Sequence, residues 1–312
     1  GMSVVDSYHN LTNLKDPKVQ NWLKAQDSLA ETYFLNNQRF RQFKKRFQEL
    51  EGRSRGNISN IRIDEKGNYF YLRYDETKDI DLLYYKEKLS NKETVLFDPS
   101  TYAIKSKNIS YLEPSFDGSK IAIGLDPREE FTSTIIFYDL ETKKILKDQI
   151  TQINPDFGGI QWLPDNSGII YLYFPFVEQS DARYKRQSFS AIHFFGDNPQ
   201  KRTPIFGDDS FLGIASDYFP KVKIGSSWDS YIIGYSAKSG MFYDSFIAKL
   251  SDVMKGSPQW KPFFKTIDKI YYNQGEIRGQ HFIYRRATPN GNQLCQVDIE
   301  RPKFDKPLIL AT

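Results

Sequence analysis

The chain has 312 residues, enough to bury a large core in one domain or two, and a net charge of +4. Its one cysteine, Cys295, excludes an intrachain disulfide, and no apolar run approaches the roughly 18 residues that cross a bilayer, so no membrane partner is expected. Aromatic residues make up 15% of the chain, a richness that suits stacked β-sheets, where flat rings pack between layers.

Gly1 ahead of Met2 reads as a tag remnant. No basic start, apolar stretch and small-residue cleavage site opens the chain, so a cytoplasmic location is expected. Residues 1–56 form a helical arm. Asp16-Pro17 supplies an N-cap and a proline at the first helical position, and Val19, Trp22, Leu23, Leu29, Ala30 and Phe34 follow near helical period. Phe40, Phe43, Phe47 and Leu50 repeat at i, i+3, i+7 and i+10, which predicts a second helix ending at Gly52 and Gly56. Residues 38–55 hold seven basic and two acidic side chains. This run is short and its aromatics share one apolar stripe, so it reads as a solvated basic face and no nucleic-acid partner is expected.

From about residue 57 the period switches to two. Five segments read as apolar strand, polar turn, apolar strand: 59–74, 110–123, 160–172, 222–235 and 270–284. Their turn markers, Gly67, Gly118, Gly168, Ser230 and Gly279, are spaced by 51, 50, 62 and 49 residues. Asp117-Gly118 and Asn166-Ser167-Gly168 supply the positive φ that tight hairpins need. Each segment has a second strand–turn–strand half, at 82–97, 134–150, 189–206, 246–264 and 293–310. A period near fifty built of short strands is the mark of a β-propeller. The expected fold is therefore all-β, with four-stranded antiparallel blades at about 57–100, 101–150, 151–210, 211–265 and 266–312 and helices confined to about 17–51. One blade cannot bury both faces of its sheet, so blades must stack. The added length of the third repeat falls at 175–188, a polar insertion of the kind loops tolerate.

The residues give little sign of chemistry. Gly225-Ser226-Ser227-Trp228-Asp229 and Gly234-Tyr235-Ser236-Ala237-Lys238 begin a nucleophile elbow but lack its closing glycine, and both are expected inside repeat strands. His9, His193 and His281 lie far apart in sequence, which argues against a metal site, and the two later ones read as strand residues. The acid pairs Glu129-Glu130 and Asp208-Asp209 read as solvated loops, and Cys295 as a small core residue. No glycine-rich phosphate loop is visible. Catalytic residues, cofactor and metal are all expected to be none.

Several stretches together resemble the prolyl oligopeptidase family of serine peptidases. In SYHNLTNLKDPKVQNWLKAQ (7–26), Tyr8, Leu11, Pro17, Val19, Trp22, Ala25 and Gln26 fall in step with its N-terminal segment. LFDPS (96–100) resembles the segment closing its first blade. The stretch 115–175, with SFDGSKIAIGLD, TIIFYDLETKKIL and FGGIQWLPDNSGIIYLYFP, is similar to its second and third blades. The resemblance implies a seven-bladed propeller capping an α/β-hydrolase that cleaves short peptides after proline. It implies that this chain, with about five blades, is the N-terminal propeller part, gating and filtering short proline-containing peptides for a hydrolase domain that it lacks, and that alone it should not hydrolyse them. Asn10-Leu11-Thr12-Asn13 replaces the family's Trp-Leu-Glu-Asp run.

In the family the Phe of a Phe-Ser-x-[Met/Ile]-x-Trp segment points toward the distal substrate subsites. Here that segment is Phe157-Gly158-Gly159-Ile160-Gln161-Trp162, so Phe157 is the substrate-proximal candidate; the bland reading is a loop aromatic packed on its own blade. A basic residue after the fourth blade's second strand corresponds to Ser236 or Lys238. In the family's arrangement the hydrolase would cover Trp22, Phe34, Phe40, Phe43 and Phe47. Without it the arm is expected to dock on a second copy of the chain, giving self-association, or on the propeller, or else to be mobile. A stand-alone, non-enzymatic propeller that binds a partner is the alternative. A five-bladed glycosidase ranks last, because no repeat places Asp or Glu at a consistent inner-strand position.

Overall fold

The computed structural model describes residues 6, 8–51, 58–90, 92–102, 108–126, 131–207 and 213–312. Gly52, Gly56, Glu129, Glu130, Asp208 and Asp209 lie outside the described residues. The chain divides into two units, Gly1–Asn57 and Ile58–Thr312.

In the first unit, α1 (Pro17–Asn36) begins as its sequence dictates: the Asp16 carboxylate accepts a hydrogen bond from the Lys18 amide at 2.8 Å, and Pro17 takes the first turn. Asn37 breaks the helix, and its side chain accepts from the Arg39 amide at 3.0 Å to open α2 (Gln38–Glu51). Among the described residues no helix is long and apolar enough to cross a membrane.

The second unit is built of four-stranded antiparallel blades. The first holds β1 (Ile58–Ile63), β2 (Tyr69–Asp75), β3 (Ile80–Lys86) and β4 (Glu93–Phe97). The second holds β5 (Ile109–Pro114), β6 (Lys120–Leu125), β7 (Ser133–Asp139) and β8 (Lys144–Ile153). The third holds β9 (Ile160–Trp162), β10 (Gly168–Tyr173), β11 (Phe189–Phe194) and β12 (Thr203–Phe206). The fourth holds β13 (Phe219–Lys223), β14 (Tyr231–Ala237), β15 (Asp244–Lys249) and β16 (Lys261–Pro262). The fifth holds β17 (Ile270–Arg278), β18 (His281–Thr288), β19 (Gly291–Asp298) and β20 (Leu308–Ala311). The second and third blades are fused by a single residue pair, Tyr173 with Ile153.

Period two distributes each central strand between two neighbours. In β6, Ile121 and Ile123 enter the core between the first and second blades, while Ala122 enters the core between the second and third. In β10, Ile169 and Tyr171 face the second blade and Ile170 the fourth. In β14, Ile232 packs toward the third blade, and Ile233 and Tyr235 toward the fifth. This is why these strands read as nearly unbroken apolar runs (KIAIGL, GIIYLY, YIIGYSA): a blade inside a stack has no solvent face. Cys295 is fully buried in the core between the fourth and fifth blades, and burial pushes its thiol up. At the ends of the stack, Ile58, Ile61 and Ile63 of β1 and Leu308, Ile309 and Leu310 of β20 remain exposed.

Two expectations need correction. Helix is not confined to the arm: α3 (Leu250–Met254) lies in the fourth blade's second half. Leu250 and Val253, three residues apart, are buried under it, so a polar-looking connection carries one apolar face. Gly225–Asp229 lies in no strand but forms the β13–β14 loop. There the buried Asp229 accepts from the Gly225 amide at 2.8 Å and from Ser226 Oγ at 2.6 Å. The positive φ of the hairpin turns falls at Gly67, Gly118 and Gly279, and in Asn166-Ser167-Gly168 it is Asn166 that carries it, with φ 54°.

Candidate functional site

The first strands of all five blades line one cavity of about 700 Å³. Its wall is stitched at successive blade junctions. Arg62 of β1 reaches Glu113 of β5, with Nε 3.7 Å from Oε2. Trp162 of β9 donates its indole N–H to the Glu113 carbonyl oxygen at 3.0 Å, and the Ile160 amide donates to the Tyr111 hydroxyl at 2.8 Å. Gln161 Oε1 accepts from the Ile224 amide at 3.0 Å. Lys223 of β13 donates to the Gly275 carbonyl of β17 at 3.3 Å. At one rim Glu65 crosses from the first blade to the fourth, accepting from the Ser227 amide at 3.0 Å and its hydroxyl at 2.6 Å.

The second and third blades meet through the segment Phe157–Trp162. Gly159 has φ +69°, and a Cβ there would lie 2.9 Å from the Tyr111 oxygen. Only glycine combines that backbone with that approach. Trp162 is buried edge-on against Phe137, 5.9 Å between ring centres.

Phe157 sits at the end of a 3-10 turn, Pro155–Phe157, capped by the Asn154 carboxamide, which accepts from the Asp156 amide at 3.0 Å. Its half-buried ring packs edge-on against Phe131, Phe174 and Phe219 at 5.6, 5.8 and 5.0 Å. Those partners come from the second, third and fourth blades. The Lys185 and Lys221 ammonium groups lie 5.6 and 5.8 Å from its centre. Phe157 is thus part of a cluster shared by three blades; its neighbours Asp156 and Gly158 line the cavity, and its own ring lies behind that lining. Lys238 pairs with Asp217 at 2.7 Å, which raises its pKa, while Ser236 is buried. His193 is buried, 2.8 Å from Asp148, and His281 is exposed at the start of β18. The structure does not bring these histidines to the cavity lining.

Sequence reasoning missed the charged wall. Tyr111 and Glu113 alternate on β5, as Lys221 and Lys223 do on β13, and both pairs line the cavity. Burial lowers the pKa of both lysines and raises that of Tyr111. The signal was the i, i+2 spacing of polar residues on a first strand, legible only once that strand is known to be innermost.

Burial also lifts the Glu113 carboxyl from its ordinary 4.5 to about 7, against the pull of Arg62. A folded pKa above the unfolded one means that the folded chain binds the extra proton between those values. This contribution to stability is complete below 4.5 and is lost as pH rises through about 7. Glu113→Gln cannot ionise, so its stability relative to wild type should rise between pH 5 and pH 8. Because 36% of the side chain remains exposed, the gain is about 1 kcal/mol. Denaturant unfolding at the two pH values measures it. A difference between variant and wild type that does not move with pH would contradict the assignment.

Comparison with known proteins places this geometry. Residues 1–303 match the family model described as prolyl oligopeptidase, N-terminal beta-propeller domain. A solved prolyl endopeptidase superposes with a TM-score of 0.77 at 20% identity, covering 99% of this chain and 44% of that one. Prolyl oligopeptidase B from Galerina marginata, bound to a macrocyclization substrate, gives 0.75 at 18%, with the same coverage. Oligopeptidase B from Leishmania major gives 0.68 at 15%, covering 98% of this chain and 42% of that one. These likenesses are of fold, and the chain spans less than half the length of the solved relatives. No curated protein matches it.

Proposed function

We propose, from the premise that this chain belongs to the prolyl oligopeptidase family as its N-terminal β-propeller, that it filters short proline-containing peptides on their way to a hydrolase domain. The observation that carries this reading is the cavity of about 700 Å³ through the blades, with the Phe157 cluster beside its wall. The volume lies in the range that holds small ligands and excludes a folded domain. Phe157 supplies an apolar face for a proline ring or its neighbour.

Isothermal titration of the full chain tests this reading with acetyl-Gly-Pro-Ala amide and acetyl-Gly-Ala-Ala amide. The proline peptide should bind more tightly, and Phe157→Ala should weaken it about tenfold, the value of one well-packed ring. Equal affinity for both peptides, or an unaltered Phe157→Ala, would overturn the reading. The reading frame beyond the Thr312 codon supplies a second check: continuation into a Gly-x-Ser-x-Gly hydrolase supports a filter, and a stop codon supports a stand-alone binding propeller.

A further inference from the structure

Lys221 stands out in the cavity wall. It is half-buried on β13, the first strand of the fourth blade. Its ammonium lies 5.8 Å from the Phe157 ring centre and 5.5 Å from that of Tyr272, so aromatic faces flank it from the third and fifth blades. Neighbouring cations are otherwise engaged: Lys223 donates to the Gly275 carbonyl, and Arg62 lies beside Glu113. Among the described residues no carboxylate forms an ion pair with Lys221. Burial alone accounts for the fall in its pKa, with no charged partner offsetting it. A partly desolvated ammonium is costly unless paired, and ring faces repay only part of that cost. Of the carboxylates on the facing inner strands, Glu113 is itself pushed toward neutrality and Glu276 pairs with Arg278 at 2.7 Å. Asp64, Glu65 and Asp156 also line the cavity, but Asp64 is bonded to Asn68 and Glu65 to Ser227, and none of the three pairs with Lys221, so the wall offers an unpaired ammonium 5.8 Å from an apolar ring.

We infer that Lys221 is the anion-recognising residue of the cavity, binding the carboxylate of a short peptide whose apolar side chain lies against Phe157. This inference rests on the peptide-filter reading and adds its selectivity: peptides carrying a free carboxylate are retained, and the same peptides without one are passed over. A charge-assisted hydrogen bond in a partly dry site is strong enough to discriminate. The carboxylate can be the peptide's own C-terminus or an acidic side chain.

Four probes titrated into the full chain separate these cases: acetyl-Gly-Pro-Ala as free acid, its C-terminal amide, acetyl-Glu-Gly-Pro-Ala amide, and glutarate. The free acid should bind about tenfold more tightly than the amide. Lys221→Gln should bring the acid to the level of the amide without altering the amide, and Lys221→Arg should keep the preference. Restored affinity in the glutamyl amide, lost again in Lys221→Gln, assigns the site to side-chain carboxylates; otherwise it belongs to the C-terminus. Equal binding of acid and amide, or a preference that survives Lys221→Gln, overturns the inference while leaving the peptide filter standing. Glutarate held by the wild type and released by Lys221→Gln, with no peptide bound, keeps the carboxylate site and removes the peptide reading. No binding of any probe overturns both. Thermal unfolding of each variant checks that the blades are intact.

Discussion

Gly168→Ala should destabilise the propeller by about 3 kcal/mol or more, at the top of the range for overpacked cores. Gly168 opens β10 and pairs with Phe194 of β11. A Cβ there would lie 2.2 Å from the His193 carbonyl oxygen and 2.9 Å from the Phe194 Cα. These are backbone atoms, and they cannot rotate away as a flexible side chain can. The strand must shift, and it carries Ile170 into one inter-blade core and Tyr171 into the other. Gly279→Ala is the informative comparison. Gly279 has φ +60° but open space around it, so that variant bears only the left-handed backbone penalty of about 1 kcal/mol. Urea unfolding of both variants decides the matter. If Gly168→Ala unfolds no more easily than Gly279→Ala, the close strand approach does not hold the third blade together.

The same glycine shows what the sequence discloses and what it hides. Its spacing within the fifty-residue period marks the hairpin correctly, yet the turn's positive φ belongs to Asn166. Period counts turns without telling which residue bends the chain and which must merely be small. The strand pattern was legible for a related reason: strands buried on both faces are apolar throughout, and that density survives any uncertainty of register. Helix α3 was hidden because five residues are too few to set a period against flanking Ser, Lys and Gly. For the candidate site the limit is geometric. Phe157 came into view through resemblance to a family segment. Glu113 and Lys221 did not, because a lysine alternating with Pro220 and Val222 reads the same on a solvent-facing outer strand as on an axial one. Only the stacking order of the strands, a tertiary property, turns that alternation into a charged wall.

Stacking order is also what Asp148 and His193 secure, and Asp148→Ala should cost about 3 kcal/mol, the scale of a buried pair broken on one side. Asp148 lies on β8, the last strand of the second blade, and His193 on β11 of the third. Their side chains are 10% and 2% exposed, with His193 Nε2 and Asp148 Oδ1 2.8 Å apart. The same carboxylate oxygen accepts from the Gly196 amide at 2.9 Å. Truncation to alanine therefore strands the buried imidazole nitrogen and removes the acceptor of the Gly196 amide, at an exposed residue. Strand pairing between the two blades is limited to Tyr173 with Ile153, and this pair adds to the hydrogen bonds that join Trp162 to Glu113, Ile160 to Tyr111 and Tyr173 to Gln152 across the same junction. Asp148→Asn keeps an acceptor in place and should lose less than half as much. His193→Phe removes the partner and leaves the carboxylate only the Gly196 amide. In a double-mutant cycle, Asp148→Ala and His193→Phe together should cost about 1–2 kcal/mol less than the sum of the two single changes. Additive effects would mean that the two side chains do not act as a pair. An Asp148→Ala loss below about 0.5 kcal/mol would put that carboxylate among ordinary surface groups.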